Sequence, residues 1–379
     1  MRAAVLEQAG APMIVVDDVE LDDPGRGEVR VDIAWCGVCH SDVSQVDGVH
    51  PAITPTVLGH EAAGIVVELG PGATQLAVGD HVILSPNAAC GHCYWCVRGE
   101  HSSCANSAAI AMSMLPDGST RLSRRGEVVY RGLGLAAMAE QVVVAESAAI
   151  RIDRDLPLDL ACIIGCAVQT GVGAALHAAK VRPGDSVLVM GAGGIGLSVV
   201  QGARIAGATR ILVSDPVEAR RTTALGVGAT DVVDPSIDDI VSECHRLTGV
   251  GVDHAFDAVG SAALVEAGIA ATRHGGTTVM VGAAPVDHEA RIHVVTAMFT
   301  EKRIVGTLLG GCHAPRDFPR LVALWQRGML DLEAMVTARR PLSEVNEAMG
   351  DMRSGRGVRT VLDIRNSPNG LSLGVPPIH

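Results

Sequence analysis

A glycine-rich turn between a predicted strand and a predicted helix constrains the fold of this chain most strongly. The segment Gly191-Ala-Gly-Gly-Ile-Gly196 directly follows the apolar run 186–190 and opens the helix-length segment 195–206. In such a turn the first glycine allows a tight bend, the second lets the backbone approach a pyrophosphate, and the third lets helix and strand pack closely. The free N–H groups of the helix N-terminus then hold the phosphates. The pattern predicts a dinucleotide site at Gly191, Gly193, Gly194, Ile195 and Gly196.

An acidic residue follows at the distance that such a site requires. Asp215 lies nineteen residues after Gly196, at the end of the next predicted strand, 210–214. A carboxylate there accepts hydrogen bonds from the adenosine ribose and repels a 2′-phosphate, so NAD is favoured over NADP. The alternative interpretation is a glycine-rich turn with an Asp that only caps it.

Strands and helices alternate around this turn. Apolar strands are predicted at 186–190, 210–214, 254–257 and 277–281, with helices at 195–206 and 216–225. Alternation of this kind indicates a parallel sheet with helices on both faces, within a region of about 168–303. The preceding part has short apolar runs, such as 29–33 and 63–67, between turn signals, which is typical of a β-rich domain. Beyond it we expect a helix at 318–327, short strands, and a frayed tail after Ile364.

Composition excludes several classes of protein. A length of 379 residues predicts two domains. The net charge of −12 argues against a nucleic-acid partner, because such partners need a basic face. We expect no secretory signal and no transmembrane helix. Ten cysteines in a chain without a signal favour reduced thiols and metal ligation, and therefore a cytoplasmic location.

Four cysteines within fifteen residues form the strongest local motif: Cys90, Cys93, Cys96 and Cys104. Four thiolates at this spacing match a closed, tetrahedral structural zinc site. An iron–sulfur cluster is the alternative, but its ferredoxin-type motif ends in C-x3-C-P, whereas seven residues separate Cys96 from Cys104 and no proline follows. The spacing therefore predicts a zinc lobe at about 86–106.

A second set of metal-ligating residues is dispersed along the chain. Cys39 and His40 end the segment Cys36-Gly-Val-Cys-His, His60 and Glu61 follow Gly59, and Cys166 follows Gly165. Two thiolates and one imidazole with one position left open are the ligands of a catalytic zinc. Spacing alone cannot bring these segments together, and small buried core residues remain the alternative at this point.

Taken in order, the motifs resemble the zinc-containing medium-chain dehydrogenase superfamily over nearly the whole chain, and most of all its longer, class III-like and actinobacterial alcohol dehydrogenases. The motifs are Cys36-Gly-Val-Cys-His-Ser-Asp42, Gly59-His-Glu61, the four-cysteine lobe, Gly165-Cys166 and the dinucleotide turn. The resemblance implies an α/β fold. A GroES-like catalytic domain at 1–167 and 304–379 is expected beside a Rossmann, doubly wound NAD-binding domain at 168–303.

The resemblance also implies residue roles. Cys39, His60 and Cys166 would bind the catalytic zinc, with Glu61 close to the metal as an occasional ligand and Asp42 orienting His60. The other four cysteines would be ordinary thiols: Cys36, Cys162, Cys244 and Cys312. The residues expected near the cofactor are His40 and Arg359 at the pyrophosphate, Arg220 at the adenosine ribose, Thr170 at the nicotinamide, and Gly282. The cofactors implied are two zinc ions per chain and NAD.

The activity implied is reversible oxidation of an alcohol, preferentially a primary one, to an aldehyde or ketone. The alcohol oxygen would occupy the open zinc position, Ser41 would accept its proton, and hydride would pass to NAD.

Two positions depart from the pattern of the family. Ser44 stands where many relatives carry a His that extends the proton path, so the path ends in water or at another base. His50 is a candidate for that base, although an exposed loop position is the simpler interpretation. Pro86 stands where many relatives carry an aromatic ring in the substrate channel. We therefore expect the channel to admit bulkier alcohols.

Three other functions remain open. A thiol-adduct formaldehyde dehydrogenase resembles this chain in length and at 114–119, but only Asp47 precedes the Gly-His-Glu motif and 107–112 holds no Arg. This disfavours glutathione and leaves mycothiol open. An enzyme with permanently bound NAD is a further variant. A non-enzymatic dinucleotide-binding protein is disfavoured because every candidate zinc ligand is present.

The resemblance implies a homodimer or homotetramer joined by edge strands near 282–307. The apolar run 292–298 is expected to lie in that interface or to form an interior core strand.

Overall fold

The computed structural model describes residues 1–365, in which the chain forms twenty β-strands and eleven α-helices. The strands are β1 (Ala3–Leu6), β2 (Ile14–Val16), β3 (Val19–Leu21), β4 (Glu28–Gly37), β5 (Thr56–Val57), β6 (Glu61–Leu69), β7 (His81–Leu84), β8 (Leu122–Arg124), β9 (Glu127–Val128), β10 (Tyr130–Arg131), β11 (Gln141–Ala145), β12 (Ala149–Ile152), β13 (Ser186–Met190), β14 (Arg210–Ser214), β15 (Asp231–Val233), β16 (Val252–Asp257), β17 (Thr272–Met280), β18 (Arg303–Gly306), β19 (Val336–Pro341) and β20 (Arg359–Asp363). The helices are α1 (His40–Val46), α2 (Ala108–Ala111), α3 (Leu158–Ala161), α4 (Ala167–Gly173), α5 (Gly194–Ala206), α6 (Glu218–Val227), α7 (Ile240–Thr248), α8 (Ala262–Ala271), α9 (Val294–Thr300), α10 (Ala314–Gln326) and α11 (Val345–Arg353). The frayed tail expected after Ile364 lies, from residue 366 onward, outside the described residues.

The β-rich part contains strands from both the N-terminal and the C-terminal segments of the chain. Strands β12-β7-β6-β4-β20-β19 form one sheet in that order, and β11 pairs β4 as its seventh strand. The long β4 and β6 run antiparallel from Val29 opposite Leu69 to Gly37 opposite Glu61. Strand β20 pairs β4 as well, with Val361 opposite Gly37. The C-terminal segment therefore returns to the N-terminal sheet, beside the end of β4.

The middle of the chain forms a six-stranded sheet in the order β15-β14-β13-β16-β17-β18. All five strand pairings in it are parallel. Four of the five residues of β13 and of β14 are buried, because a parallel sheet with helices on both faces shields its central strands from water. The predicted α/β fold class, with a β-rich part beside a parallel sheet and its helices, is confirmed.

The predicted elements of this sheet differ from the observed ones mainly at their ends. The predictions 186–190 and 210–214 coincide with β13 and β14. The prediction 277–281 misses the start of β17, because Gly275 and Gly276 interrupt the apolar pattern inside that strand. The helix predicted at 318–327 begins earlier, at Ala314, since Pro315 is compatible with the first helical turn.

The apolar run 292–298 is not a core strand. Its C-terminal part lies in the short helix α9, and the large side chains of this segment are exposed, Val294 by 76% and Phe299 by 75%. The prediction of an interior strand is therefore wrong. The prediction failed because the apolar pattern over seven residues is compatible both with a buried strand and with a helix whose apolar face is exposed.

The core is aliphatic, as a chain with 2% aromatic residues requires. One large cluster spans α4, α5 and β13 and extends into α10, and a second fills the space around β1, β4 and β6. Arg131 is an exception inside the β-rich part. It is fully buried, and its guanidinium donates to the carbonyl oxygens of Thr120, Gly134, Leu135 and Val143.

No single helix within residues 1–365 has both the length and the apolar content of a membrane span. The segments Leu158–Gly165 and Ala167–Ala179 pass the same test only as a pair, bent by 52°.

Candidate active site and cofactor cleft

The glycine turn lies between β13 and α5, at the carboxyl end of the parallel sheet. Gly191 has φ +93°, in the left-handed region that favours glycine. A Cβ at Gly196 would overlap the carbonyl oxygen of Gly191, so a side chain there would push α5 away from the turn. A Cβ at Gly193 would instead meet open space. The turn therefore has a close helix–strand contact at Gly196 and an accessible backbone at Gly193, which are the two properties that a pyrophosphate site needs.

Asp215 follows β14 directly and is buried beside this turn. Its Oδ2 accepts a hydrogen bond from the Ala192 N–H at 2.7 Å, and its Oδ1 accepts one from the Val217 N–H at 2.8 Å. A carboxylate has about four lone-pair directions, so two remain after these bonds. Asp215 thus ties the glycine turn to the end of β14, and the same carboxylate retains capacity for a ribose hydroxyl.

Cationic side chains surround the N-terminus of α5. The guanidinium of Arg359 is buried against Gly194, where a Cβ would collide with it, and it donates to the carbonyl oxygen of Val38 at 2.6 Å. Arg220 donates to Gly357 O at 3.3 Å, and its buried Nε has no protein partner. Burial and the charges of Arg359 and Arg220 lower the pKa of His40, despite the opposing charge of Cys39. The cluster is suited to an anion such as a pyrophosphate.

Three further predicted cofactor residues border this region. Thr170 is buried in α4, and its hydroxyl oxygen has no hydrogen-bond partner in the protein. Gly282 follows β17, and a Cβ there would collide with the backbone of Gly260 and Val259. Its N–H donates to Asp257 O at 2.8 Å. Ile195 lies in the first turn of α5 and is partly exposed.

The dispersed metal-ligating residues meet in space. Cys39 precedes α1, His60 precedes β6, Glu61 begins β6, and Cys166 precedes α4. Their ligand atoms all lie within 4.8 Å of one another, and all four residues are buried. The alternative of unrelated small core residues is thereby removed, because three chain segments deliver two thiols, an imidazole and a carboxylate to one point.

Asp42 holds this cluster in place. Its Oδ1 lies 3.2 Å from His60 Nδ1 and accepts the Gly59 N–H at 3.0 Å, while its Oδ2 accepts the Cys39 N–H at 3.0 Å. Burial lowers the pKa of His60, but the Asp42 and Cys39 charges outweigh it and raise that pKa well above its usual value. Since Nδ1 faces Asp42, Nε2 is the ring nitrogen left for a metal.

The remaining groups of the cluster fit a zinc ion. A hydrogen bond from the Cys166 thiol, together with the charges of Arg359 and His60, lowers the pKa of Cys39 well below that of a free thiol despite burial. Burial raises the pKa of Glu61 to about 7, and both of its carboxylate oxygens are buried without a hydrogen-bond partner. Arg359 Nε forms an ion pair with Glu61 Oε2 at 3.5 Å, and a buried carboxylate without hydrogen bonds beside two thiols and an imidazole fits a zinc ion.

Ser41 lies at the edge of the same cluster. Its Oγ is 3.8 Å from Cys39 Sγ, and the residue is partly exposed at the start of α1. A hydroxyl in this position can exchange a proton between the cluster and the solvent-accessible side.

The four-cysteine lobe forms a second candidate zinc site. The Sγ atoms of its cysteines all lie within 4.8 Å of one another. Backbone N–H groups point at the sulfurs: Cys90 N and Asn106 N donate to Cys104 Sγ at 3.3 and 3.4 Å. Hydrogen bonds from the backbone of Ala105 and Cys96 lower the pKa of Cys93 to about 6. Donors aimed at thiolates are the usual surroundings of a structural zinc.

One residue of the site carries no recognisable sequence signal. Leu309 packs against Cys39 and Cys166, so it forms an apolar wall of the metal cluster. It has φ +50° and precedes Gly310 and Gly311. The two glycines mark a turn, but they do not reveal that the turn reaches the cluster.

A mostly apolar recess lies between Pro86 and the segment after the zinc lobe. Ile110, Met114, Leu115 and Gly134 complete its main walls. Asp47, the acid considered for a glutathione adduct, forms an ion pair with Arg353 at 2.6 Å. The recess has a volume of about 20 Å³, which is room for about one water molecule, and its lining does not include the candidate zinc ligands, so it marks an apolar surface around Pro86 rather than a formed substrate pocket.

Fold and site together define a class: a dehydrogenase with a nicotinamide-dinucleotide cleft and two cysteine-rich zinc sites. Comparison with known proteins agrees. Residues 25–154 match the model of the alcohol dehydrogenase GroES-like domain, and residues 194–327 match that of the zinc-binding dehydrogenases.

Individual relatives cover almost the whole chain. An S-(hydroxymethyl)glutathione dehydrogenase of Synechocystis is 38% identical over 95% of this chain and 99% of its own length. The crystal structure of an alcohol dehydrogenase zinc-binding domain protein from Burkholderia ambifaria is 34% identical, with a TM-score of 0.91, over 96% of this chain and 99% of that one. Benzyl alcohol dehydrogenase from Acinetobacter calcoaceticus is 31% identical, with a TM-score of 0.90 and the same coverage.

This chain belongs to the zinc-binding medium-chain dehydrogenase family. It is a zinc- and NAD-dependent oxidoreductase of the alcohol dehydrogenase type.

Proposed function

We propose that Cys39, His60 and Cys166 hold a catalytic zinc and that the enzyme oxidises free alcohols with an apolar, bulky substituent. The observation that carries the proposal is the meeting of these three side chains, oriented by Asp42, within 4.8 Å. When bound, zinc polarises the oxygen of the alcohol and NAD accepts a hydride. Ser41 accepts the alcohol proton and passes it toward solvent, and Leu309 excludes water from one side of the cluster.

We further propose that the residues at the glycine turn bind NAD. Gly191, Gly193, Gly194 and Gly196 line the pyrophosphate with the help of His40 and Arg359. Asp215 and Arg220 bind the adenosine ribose, and Thr170, Ile195 and Gly282 border the rest of the cofactor. The support is the accessible helix N-terminus, the cationic cluster beside it, and the unpartnered polar atoms of Thr170 and Arg220.

The domain boundaries are part of the proposal. The expected boundary at 303 would divide β18, which pairs β17 in the parallel sheet, so we place the cofactor domain at 168–306 and the catalytic domain at 1–167 and 307–365, with the zinc lobe at about 86–106. Pairing of β20 with β4 supports the assignment of the C-terminal segment to the catalytic domain. The lobe binds the second zinc through Cys90, Cys93, Cys96 and Cys104.

The substrate preference rests on the apolar surface around Pro86. Proline supplies no ring to fill the channel, and the side chains around it are mostly apolar. The relative from Acinetobacter is named for benzyl alcohol, a substrate with a bulky apolar substituent, which supports the same class here.

A thiol-adduct substrate is the second candidate, and the name of the Synechocystis relative favours it. Two features of this chain oppose glutathione itself: Asp47 is paired with Arg353, and 107–112 contains no Arg. A mycothiol adduct and permanently bound NAD are the remaining variants.

Two further properties are proposed. Six cysteines assigned to zinc must remain reduced, so we place the enzyme in the cytoplasm. The exposed apolar side chains around α9 lie near β18, an outermost strand of the parallel sheet, so we place a homodimer or homotetramer interface there.

The first experiment measures zinc per chain and NAD reduction for wild type, Cys39→Ser and Cys36→Ser. Cys36 is a buried thiol three residues away that is not among the proposed ligands, so it is the matched control. We expect Cys39→Ser to hold one zinc ion per chain fewer than wild type and Cys36→Ser, and we expect turnover only in the two proteins that retain that ion. Equal zinc counts in wild type and Cys39→Ser would exclude the catalytic site.

The second experiment compares substrates on the wild type. Benzyl alcohol and longer primary alcohols are expected to give a higher kcat/KM than ethanol. A higher kcat/KM for ethanol than for these alcohols would contradict the proposal that Pro86 leaves the channel open to bulky substituents. Turnover of thiol adducts of formaldehyde, without turnover of any free alcohol, would select the second candidate. Oxidation of an alcohol by an added electron acceptor, without added NAD, would indicate permanently bound cofactor.

A further inference from the structure

Three side chains that can ligate a metal lie close together near the C-terminal end of α4, apart from the catalytic cluster and the four-cysteine lobe. They are His177, Cys312 and Asp317, and their ligand atoms all lie within 4.8 Å of one another. We propose that these three residues form a third zinc site. It shares no residue with the catalytic cluster or with the lobe, and it does not depend on the proposed substrate.

Separate elements of the chain deliver the three donors. His177 lies in the π-helix Ala174–Ala179 that continues α4, Cys312 follows the turn Leu309–Gly311, and Asp317 lies in the first turn of α10. Single π-helical turns are uncommon and often occur at functional sites. A Cβ at Gly173 would collide with Cys312 Sγ, so glycine at that position lets the thiol approach α4.

The donor set suits zinc, and the separation of its imidazole and carboxylate suits a tetrahedral ion. His177 Nε2 lies 3.6 Å from Asp317 Oδ1. Ligand atoms at zinc bond lengths stand roughly 3.3–3.7 Å apart in a tetrahedron. One imidazole, one thiolate and one carboxylate select zinc over the harder cations magnesium and calcium. Three protein ligands leave the fourth position for water.

Asp317 is ionised and correctly held for this role. Its Oδ2 accepts from His313 N and Arg316 Nη2, both at 2.8 Å, and its Oδ1 accepts from Arg316 Nε at 2.9 Å. Burial raises the pKa of Asp317, but the hydrogen bonds from His177 and Arg316 outweigh it, so that pKa lies well below its usual range. Oδ1 also faces Arg320 Nη1 at 3.5 Å and His177 Nε2 at 3.6 Å, and Arg316 acts as the outer partner that orients a ligating carboxylate.

Cys312 is the proposed ligand that must lose a proton when zinc binds. Burial raises its pKa, and the thiol donates to Gln169 O at 3.3 Å. Binding replaces the S–H proton by zinc and releases one proton to solvent, with no change of oxidation state. Because the His177 side chain is 32% exposed, an ion can enter from that side.

The test counts zinc in the full-length protein after dialysis against buffered zinc. The variants are Cys312→Ser and His177→Gln, and Cys244→Ser is the control because Cys244 is a buried thiol of α7. We expect wild type and Cys244→Ser to retain one zinc per chain more than either site variant. The variants should keep the circular dichroism spectrum of the wild type. Zinc counts that are equal in the wild type and both site variants would overturn the proposal.

A cadmium titration of the zinc-loaded protein gives an independent signal. Cadmium–thiolate bonds absorb in the ultraviolet, so occupation of the third site produces a charge-transfer band. The six thiolates of the other two sites contribute equally in every variant, so we expect a larger band in wild type and Cys244→Ser than in Cys312→Ser. A band of equal size in Cys312→Ser would contradict the assignment. The comparison is between variants, so it holds whatever the other two sites contain and whatever alcohol the enzyme oxidises.

Discussion

His50 Nε2 lies 2.9 Å from the carbonyl oxygen of Ala284, a residue 234 positions farther along the chain. His50 lies in the loop after α1, and Ala284 lies in the loop after β17, close to Gly282. A carbonyl oxygen only accepts, so Nε2 carries the proton and donates. The bond joins the segment that carries the zinc cluster to the edge of the cofactor cleft. His50 is therefore a cross-cleft contact, and its Nε2 is not available as the base that ends the proton path.

Replacement of His50 tests this contact. His50→Ala removes the donor, whereas His50→Gln retains an N–H that can reach the same carbonyl. A hydrogen bond of about 1 kcal/mol corresponds to roughly fivefold in affinity. We expect the Kd of NAD, measured by calorimetric titration, to rise about that much in His50→Ala and to stay near the wild-type value in His50→Gln. A loss of kcat with an unchanged Kd would restore the proton-path role.

Asp42 is expected to strengthen the binding of the catalytic zinc without affecting the zinc of the lobe. Asp42→Asn keeps the shape of the side chain but removes the charge that faces His60 Nδ1. Loss of such an outer partner typically weakens metal binding 10–100-fold. Competition with a chelator should therefore remove one zinc per chain more readily than in wild type, and turnover should fall with it. The zinc of the four-cysteine lobe is the internal control, and its affinity should not change.

Asp215 is expected to select the cofactor and also to stabilise the turn. Asp215→Ser removes the negative charge that repels a 2′-phosphate, and it removes acceptors for Ala192 N–H and Val217 N–H. The ratio of kcat/KM for NAD to that for NADP should fall by at least tenfold, because NAD binding weakens while NADP is no longer repelled. An unchanged ratio would mean that Asp215 only caps the turn.

Arg131 is expected to be a stability residue without a role in the chemistry. Arg131→Met leaves four carbonyl oxygens without their donors in a buried place, which costs about 3–5 kcal/mol of unfolding free energy. Arg131→Lys retains the charge and part of the hydrogen bonding, so its loss should be smaller. Chemical denaturation measures both. A loss below about 1 kcal/mol for Arg131→Met would contradict this role.

The exposed apolar segment around α9 is expected to be covered by a second copy of the chain. Phe299→Asp places a charge in that surface, so the molar mass measured by light scattering should fall toward that of the monomer. Val128→Asp, on an exposed apolar side chain of β9, is the control and should leave the mass unchanged. A monomeric wild type would exclude the interface.

The dinucleotide turn and the four-cysteine lobe were predictable because their residues are local in sequence. A strand, a glycine turn and a helix within twenty residues determine each other's geometry, and four cysteines within fifteen residues can close around one ion. The run 292–298 was not predictable, since seven apolar residues are compatible with a strand and with a helix.

The sequence by itself determined the alternation of strands and helices, the turn at Gly191 and the lobe, since each depends on contacts between near neighbours. Only the tertiary structure brought Cys39, His60 and Cys166 to one point and placed Leu309 beside them. It also joined His50 to Ala284 and gathered His177, Cys312 and Asp317. Those arrangements depend on how sheets and helices pack across more than a hundred residues of chain. Such packing is decided by the burial of the whole core and not by any local pattern.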